Sequence, residues 1–317
     1  SLFVDRGMIR FDEIREQVLA FPARGFFLWA VIGMCLMGVC AKKLDASKAS
    51  SHWIEQFINL TAQAALFLGV VLCWTDVTAY KTEPSALAYL PQEISGLPAG
   101  RLSSAGMKNT GSVNISKSEN GLFLDGPGEK EAMIFYPGGR VEYTAYTKLM
   151  MGFALRGIDC FLVDMPYNLA IFSPEEAEKI REDQRYSYEK WYMGGHSLGG
   201  VMASLYLKNN HNAYNGLVLL AAYSSVRIEI PEEEEPFPVI SVYGSEDKIL
   251  NMEEMEKSRA RMPKHYTEEV IEGGCHAGFG SYGPQRGDGE PEISQDEQIR
   301  KAVRICIDAL RGTAAGN

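Results

Sequence analysis

The stretch KWYMGGHSLGGVMASLYLKNN, Lys190 to Asn210, places a serine at the junction of two different patterns. Before it, Trp191 to Met193 form an apolar, strand-like run. After it, apolar residues recur at helical spacing. Gly195-His196-Ser197-Leu198-Gly199 is a G-x-S-x-G sequence. By itself that is a weak signal, and its context decides. A chain that leaves a strand and enters a helix at one residue must reverse sharply, and flanking glycines leave room for a strained turn. Such a turn holds the Ser197 hydroxyl clear of the backbone at the start of a helix. The Leu198 amide would then point at a developing oxyanion.

The segments on either side alternate. AMIFY (Ala132–Tyr136) is a short apolar run stopped by Pro137-Gly138-Gly139. YTAYTKLMMGFALRG has helical spacing and DCFLVDMP is strand-like. SPEEAEKIREDQRYS opens with a serine and acidic residues, which predicts a serine-capped helix. NGLVLLAAY, VISVYG and YTEEVIEG read as strands, with NMEEMEKSRARM and the closing SQDEQIRKAVRICIDALRG as helices. Strands alternating with helices imply an α/β fold: a mostly parallel, doubly wound sheet with helices on both faces. GLFLDGPG (Gly121–Gly128) ends in turn residues and predicts a hairpin there.

A serine hydroxyl needs a base to become a nucleophile, and the base needs an acid to orient it. In this kind of sheet the chain order is serine, acid, histidine. VISVYGSEDKIL puts Asp247 just after a strand, with Glu246 as the competing neighbour. VIEGGCHAGFG puts His276 just after another strand. His211 sits in the polar end of the helix after Ser197, and His265 precedes a strand, at the wrong edge of the sheet. Ser197, Asp247 and His276 all fall at strand carboxyl ends, where groups converge in open parallel sheets. A second oxyanion donor is expected from PGGRVEYTAY, with the Gly139 amide first and Arg140 next. The Arg140 side chain is an alternative partner for a substrate carboxylate. Tyr167, Phe172, Phe279 and Tyr282 are the aromatic candidates for lining the site. Arg286-Gly287-Asp288 reads as a turn.

FYPGGRVEYTAY, VDMPYNLAIF, WYMGGHSLGG, LVLLAAYS, YGSEDKIL and GGCHAGFGSYGPQRGDGEPEIS together resemble the alpha/beta-hydrolase fold. More narrowly, they are similar to a membrane-anchored bacterial group often labelled dienelactone-hydrolase-like. The likeness runs from about Ala132 to Leu310. It implies Ser197 as nucleophile, His276 as base and Asp247 as acid. Cys275 stands where that group commonly has asparagine, and the elbow holds serine where true dienelactone hydrolases use cysteine. The resemblance thus implies a serine hydrolase that acts on an ester-type bond and needs no metal or organic cofactor. Two other functions fit the same residues: acyl transfer on the same triad, and a non-catalytic binding module. Only Ser224–Pro238 separates LVLLAAY from VISVYG. That is too short for a helical lid, so the site is expected to be open.

The chain has 317 residues and a net charge of -10. An acidic chain lacks the basic face that phosphate binding requires, so nucleic acid is not an expected partner. The expected partners are a small-molecule or lipid-like acyl substrate and a membrane. The six cysteines show no CxxC spacing and suggest neither a zinc site nor a disulfide framework. Two uncharged apolar runs, 25–41 and 56–75, would span about 26 and 30 Å as helices, close to a bilayer core. Lys42, Lys43 and Lys48 fill the short connection between them, which favours an inside loop and an extracytoplasmic catalytic domain. The expected organisation is therefore 1–80 with two transmembrane helices, 81–129 as linker and early strands, and 130–317 as the catalytic domain. The chain opens with Ser1 and reaches Met8 soon after, so residues 1–7 are open to being non-native.

Overall fold

A computed structural model describes residues 22–45, 47–91, 94, 113–230 and 236–312. It divides into two compact units at the Thr78–Ala79 bond. In the first unit, helix α1 (Pro22–Lys43) packs on helix α2 (Ala49–Val77). A methyl on Gly33 would lie 2.5 Å from Cβ of Ala62, and one on Gly69 would lie 3.2 Å from the Phe27 ring. Earlier residues of α1 thus meet later residues of α2, so the helices run antiparallel. Their outward faces carry Trp29, Trp53, Phe57 and Phe67, all more than half exposed. Both helices are long and apolar enough to cross a membrane. Each extends beyond the charge-free run that marked it, because neither Glu55 nor the terminal lysines break helical geometry.

The second unit is built on an eight-stranded sheet ordered β1-β2-β4-β3-β5-β6-β7-β8. The strands are β1 (Asn114–Ser118), β2 (Gly121–Asp125), β3 (Glu131–Tyr136), β4 (Ile158–Val163), β5 (Lys190–His196), β6 (Leu217–Leu220), β7 (Val239–Gly244) and β8 (Tyr266–Ile271). Pairs from β4 onward along the order are parallel, while β1–β2 and β2–β4 are antiparallel. The hairpin lies one turn earlier than GLFLDGPG predicts. GLFLD is its second strand, the reversal is at Glu119-Asn120, and the Pro-Gly turn only leads into β3.

Alternation along the strands divides the core between two faces, as period-2 geometry requires. Met133, Phe135, Tyr192, Val218 and Val242 pack on one side with helices α3 (Thr147–Ala154) and α7 (Gln295–Leu310). Ile134, Tyr136, Trp191, Met193 and Leu219 pack on the other with α4 (Glu176–Glu182) and α5 (Leu198–Asn210). These central strands are buried on both faces, which is why they read as continuous apolar runs. A further helix, α6 (Met252–Arg259), starts at Asn251, whose side chain accepts two amide protons. Ser294 caps α7, its hydroxyl accepting the Glu297 amide.

The cap of α4 differs from expectation. Ser173 gives its hydroxyl to the Glu176 carboxylate at 2.7 Å and caps no amide. The amide of Ala177 instead donates to the Tyr136 phenol, which arrives from the end of β3 at 2.8 Å. A tertiary neighbour took the donor that the local serine was expected to satisfy. Of the segment expected to lack a lid, 231–235 with its glutamates lies outside the described residues, and the described part holds no helix.

The chain after α2 joins the sheet unit at once. Tyr80 donates its amide to the Arg140 carbonyl at 2.7 Å and accepts that of Glu142 at 3.0 Å. Two residues on, Thr82 donates to the Glu142 carboxylate at 2.8 Å, and Glu83 donates to the Ser281 carbonyl at 2.8 Å.

Candidate active site

Strand order reverses at β3, which lies between β4 and β5, and the site forms at the carboxyl ends of these strands. Ser197 is the single residue between β5 and α5, with φ 50° and ψ −124°. A non-glycine residue holds such a conformation only when its surroundings impose it. They do so here on both sides: the Ser197 amide donates to Leu220 of β6 at 2.9 Å, and the Val201 amide returns to the Ser197 carbonyl. The flanking glycines are required by contact. A methyl on Gly195 would lie 2.5 Å from the Gly199 carbonyl carbon, and one on Gly199 would lie 2.2 Å from the Tyr136 carbonyl oxygen.

Asp247 and His276, on the loops after β7 and β8, meet in space. Nδ1 of His276 lies 2.8 Å from Oδ2 of Asp247, and both side chains are almost completely buried. The other Asp247 oxygen accepts the amides of Ile249 and Leu250, each at 2.8 Å. The carboxylate is therefore fixed in place by two donors. Glu246 faces elsewhere, with Ser245 and Lys248 as its neighbours. The geometry thus separates two acids that were adjacent alternatives in the sequence. Nε2 of His276 is buried and has no hydrogen-bond partner among the described residues.

The ring of His196, the residue before Ser197, lies 4.7 Å from that of His276, centroid to centroid. His276 is thereby next to the elbow. On the other side, a methyl on Gly139 would lie 2.9 Å from the Leu198 side chain, so these two candidate donors sit side by side. Leu198 opens α5, and its amide is one of the donors a helix leaves unpaired at its start. In the Pro-Gly-Gly loop the Gly138 amide goes to the Tyr146 phenol at 3.0 Å, and the Arg140 amide goes to the Asn168 carbonyl at 2.7 Å. Arg140 is therefore not available as the alternative oxyanion donor. Gly139, between them, donates to nothing among the described residues.

Two of the aromatic expectations change. Phe279 is fully buried, with its ring 5.7 Å from that of His196, and Tyr282 belongs to the same core cluster. They back the site and present no face to a substrate, because the turn after His276 folds inward onto α7. Tyr167 is half-buried at φ 56° after β4, and its ring lies 5.7 Å from Phe172, which is half exposed.

Other residues were not singled out by the sequence. His196 is buried, with Nδ1 2.7 Å from the Tyr146 phenol and Nε2 3.1 Å from the main-chain oxygen of His276. Burial, and then the neighbouring His276 ring, hold its pKa well below the ordinary value. Gln298 of α7 is buried and grips the residue before His276 from both sides. Its Oε1 accepts the Cys275 amide at 3.0 Å, and its Nε2 donates to the Cys275 carbonyl at 2.7 Å. The Cys275 thiol itself is pushed up to about 11, chiefly by burial, so it stays protonated near neutral pH. The one advance signal for His196 was its place inside the G-x-S-x-G motif; Gln298 had none.

The profile of the Alpha/beta hydrolase family matches residues 132–300. No curated relative matches the chain. Among solved structures it is similar to TT1662 from Thermus thermophilus, at 18% identity over 62% of this chain and 98% of that one, with a TM-score of 0.47. It is also similar to a monoacylglycerol lipase from Paleococcus ferrophilus, at 15% identity, 62% and 99% coverage and a TM-score of 0.46. A dienelactone hydrolase from Anabaena variabilis aligns at 10% identity, 64% and 99% coverage and a TM-score of 0.45. With the family profile spanning more than half of its length, the chain belongs to the alpha/beta hydrolase family.

Proposed function

We propose that this chain is a membrane-tethered serine hydrolase that cleaves an ester-type bond through a Ser197–His276–Asp247 triad. One observation carries the reading. His276 has one ring nitrogen held by a fixed carboxylate and the other buried, without a partner among the described residues and beside the serine elbow. An imidazole arranged in this way is a base whose accepting nitrogen awaits a proton donor, since a buried polar nitrogen is costly unless something uses it.

In the proposed reaction Nε2 of His276 takes the Ser197 proton as the hydroxyl oxygen attacks the carbonyl carbon. Asp247 holds the Nδ1–H tautomer and stabilises the imidazolium. The Leu198 and Gly139 amides receive the negative charge on the carbonyl oxygen. Collapse of the tetrahedral species expels the alcohol, which takes the proton from Nε2, and leaves the acyl group on Ser197. Water then repeats the sequence and releases the acid. Exposed Ile171 and Phe172, next to Leu169 and the Gly139 loop, offer an apolar surface suited to a small-molecule or lipid-like acyl group. The two apolar helices support the tether, and Lys42 and Lys43 at the end of α1 with Lys48 in the connection support an extracytoplasmic catalytic unit.

The test is labelling of the purified protein with a fluorophosphonate probe, comparing wild type with Ser197→Ala. Labelling confined to wild type is expected. A folded wild type that stays unlabelled overturns the proposal.

A further inference from the structure

Asp247 and His276 leave different strands, so the 2.8 Å contact between them depends on two loops keeping register. One side chain joins those loops. Oδ2 of Asp288 accepts the amide of Ala277, next to His276, at 2.8 Å. Its Oδ1 accepts the amide of Lys248, next to Asp247, at 3.3 Å, and that of Gly289 at 2.9 Å. An aspartate that only shaped its own turn would bond its own turn's amides. Here two of the three donors come from residues 40 and 11 positions away in sequence.

The turn that presents Asp288 is pressed against the acid loop. It closes through the Asp288 amide to the Gln285 carbonyl at 3.1 Å, with Gly287 at φ 91°. A methyl on Gly289 would lie 2.0 Å from the Glu246 carbonyl oxygen, so only glycine permits the approach. Arg286 and Gly287 are exposed, while the Asp288 carboxylate is turned inward onto the two loops.

We propose that Asp288 is a positioning residue that holds the acid loop and the base loop in register, so that the Asp247–His276 pair is set before substrate arrives. The inference rests on the reading of that pair as the acid and base of a hydrolase. A carboxylate suits the place because all three partners are donors and it has two oxygens for them. Asparagine offers one oxygen, and its amide group would face a second N–H.

The experiment uses the full-length protein in detergent as wild type, Asp288→Ala and Asp288→Asn. Reactive serines are counted with the fluorophosphonate, turnover is measured on p-nitrophenyl acetate, and the low-field Nδ1 proton of His276 is followed by NMR. Misplacement by about an ångström costs on the order of 100-fold. Asp288→Ala is therefore expected to lose roughly 10- to 100-fold in kcat per titrated serine, with KM changed less than about twofold. Its Nδ1 proton signal is expected to disappear. Asp288→Asn should fall between it and wild type, and it decides the matter alone if Asp288→Ala does not fold. A merely structural role would lower the number of titratable serines or the melting temperature and leave kcat per serine and the Nδ1 proton intact. That result overturns the proposal. If wild type neither labels nor turns over, the hydrolase reading fails separately and the NMR signal judges the clamp. Loss of the signal in the variants then supports it, and a signal unchanged in them, or absent from all three proteins, overturns it.

Discussion

The Tyr146 phenol lies 2.7 Å from Nδ1 of His196 and accepts the Gly138 amide at 3.0 Å. Nε2 of His196 faces a main-chain oxygen, which accepts only, so Nε2 carries the ring proton. Nδ1 must then accept, and the phenol donates to it. One buried chain of donors thus runs from the Pro-Gly-Gly loop through Tyr146 and His196 to the main chain of His276. It ties together the Pro-Gly-Gly loop, the Ser197 elbow and the His276 loop.

Removing the phenol hydroxyl breaks this chain at two places. Tyr146→Phe leaves the Gly138 amide and Nδ1 of His196 without partners inside the core. Each such group costs about 1–3 kcal/mol. Urea unfolding should therefore show a loss of at least about 1 kcal/mol. A midpoint equal to wild type would show that the chain does not contribute.

Stability should depend on pH through His196. Its folded pKa is held well below the ordinary 6.5, first by burial and then by the His276 ring. Below about pH 6.5 the unfolded chain binds a proton there that the folded chain does not. The contribution is complete above that pH and is lost as pH falls from there towards the lower folded pKa. For one group the slope is at most about 1.4 kcal/mol per pH unit. Urea midpoints between pH 7.5 and 5.5 should fall more steeply for wild type than for His196→Gln. Parallel slopes would contradict the assignment.

The two adjacent acids should separate in kinetics. Asp247→Asn keeps the volume but offers His276 no carboxylate, and kcat/KM should fall by about 100-fold or more. Glu246→Gln, whose side chain faces Ser245 and Lys248, should stay within about twofold of wild type. Equal losses in both variants would reject Asp247 as the orienting acid.

Gln298→Leu preserves bulk and removes both bonds to the Cys275 backbone. The buried Cys275 amide loses its partner, at roughly 1–3 kcal/mol, while the Cys275 carbonyl keeps only the Gly278 amide at 3.3 Å. A lower melting temperature and a lower fluorophosphonate labelling rate are expected together. An unchanged melting temperature would mean that the grip on Cys275 is not energetically significant.

The tether is tested by fractionation. The full chain should remain with membranes through a high-salt wash and leave only with detergent, because exposed Trp53, Phe57 and Phe67 need an apolar solvent. Release by salt alone would rule out insertion of α1 and α2.

Local pattern alone made much of this protein readable. Runs such as AMIFY and VISVYG announced strands buried on both faces, and the alternation of periods announced a parallel sheet. The Ser197 elbow was legible because a strand, two glycines and a helix must appear in contiguous chain. Asp247 and His276 were legible only as positions after strands, with Glu246 unresolved beside Asp247. Side-chain direction decides between neighbours, and two backbone amides at Ile249 and Leu250 set that direction.

What determined the rest acts across long sequence separations. Nothing local to Ser173 says that the Tyr136 phenol will take the Ala177 amide in its place. Nothing local to Phe279 says that its ring will be covered by the core instead of lining the site. His196, Gln298 and Asp288 look like an elbow residue, a helix glutamine and a turn aspartate until the loops they join are brought together. Sequence by itself determined the elements, their order and the chemistry available at the strand ends, because these follow from period, turn residues and side-chain type. Only the tertiary structure decided which acid lies against His276 and which amides and buried groups surround the elbow, because hydrogen-bond partners are chosen by proximity in space among residues far apart in the chain.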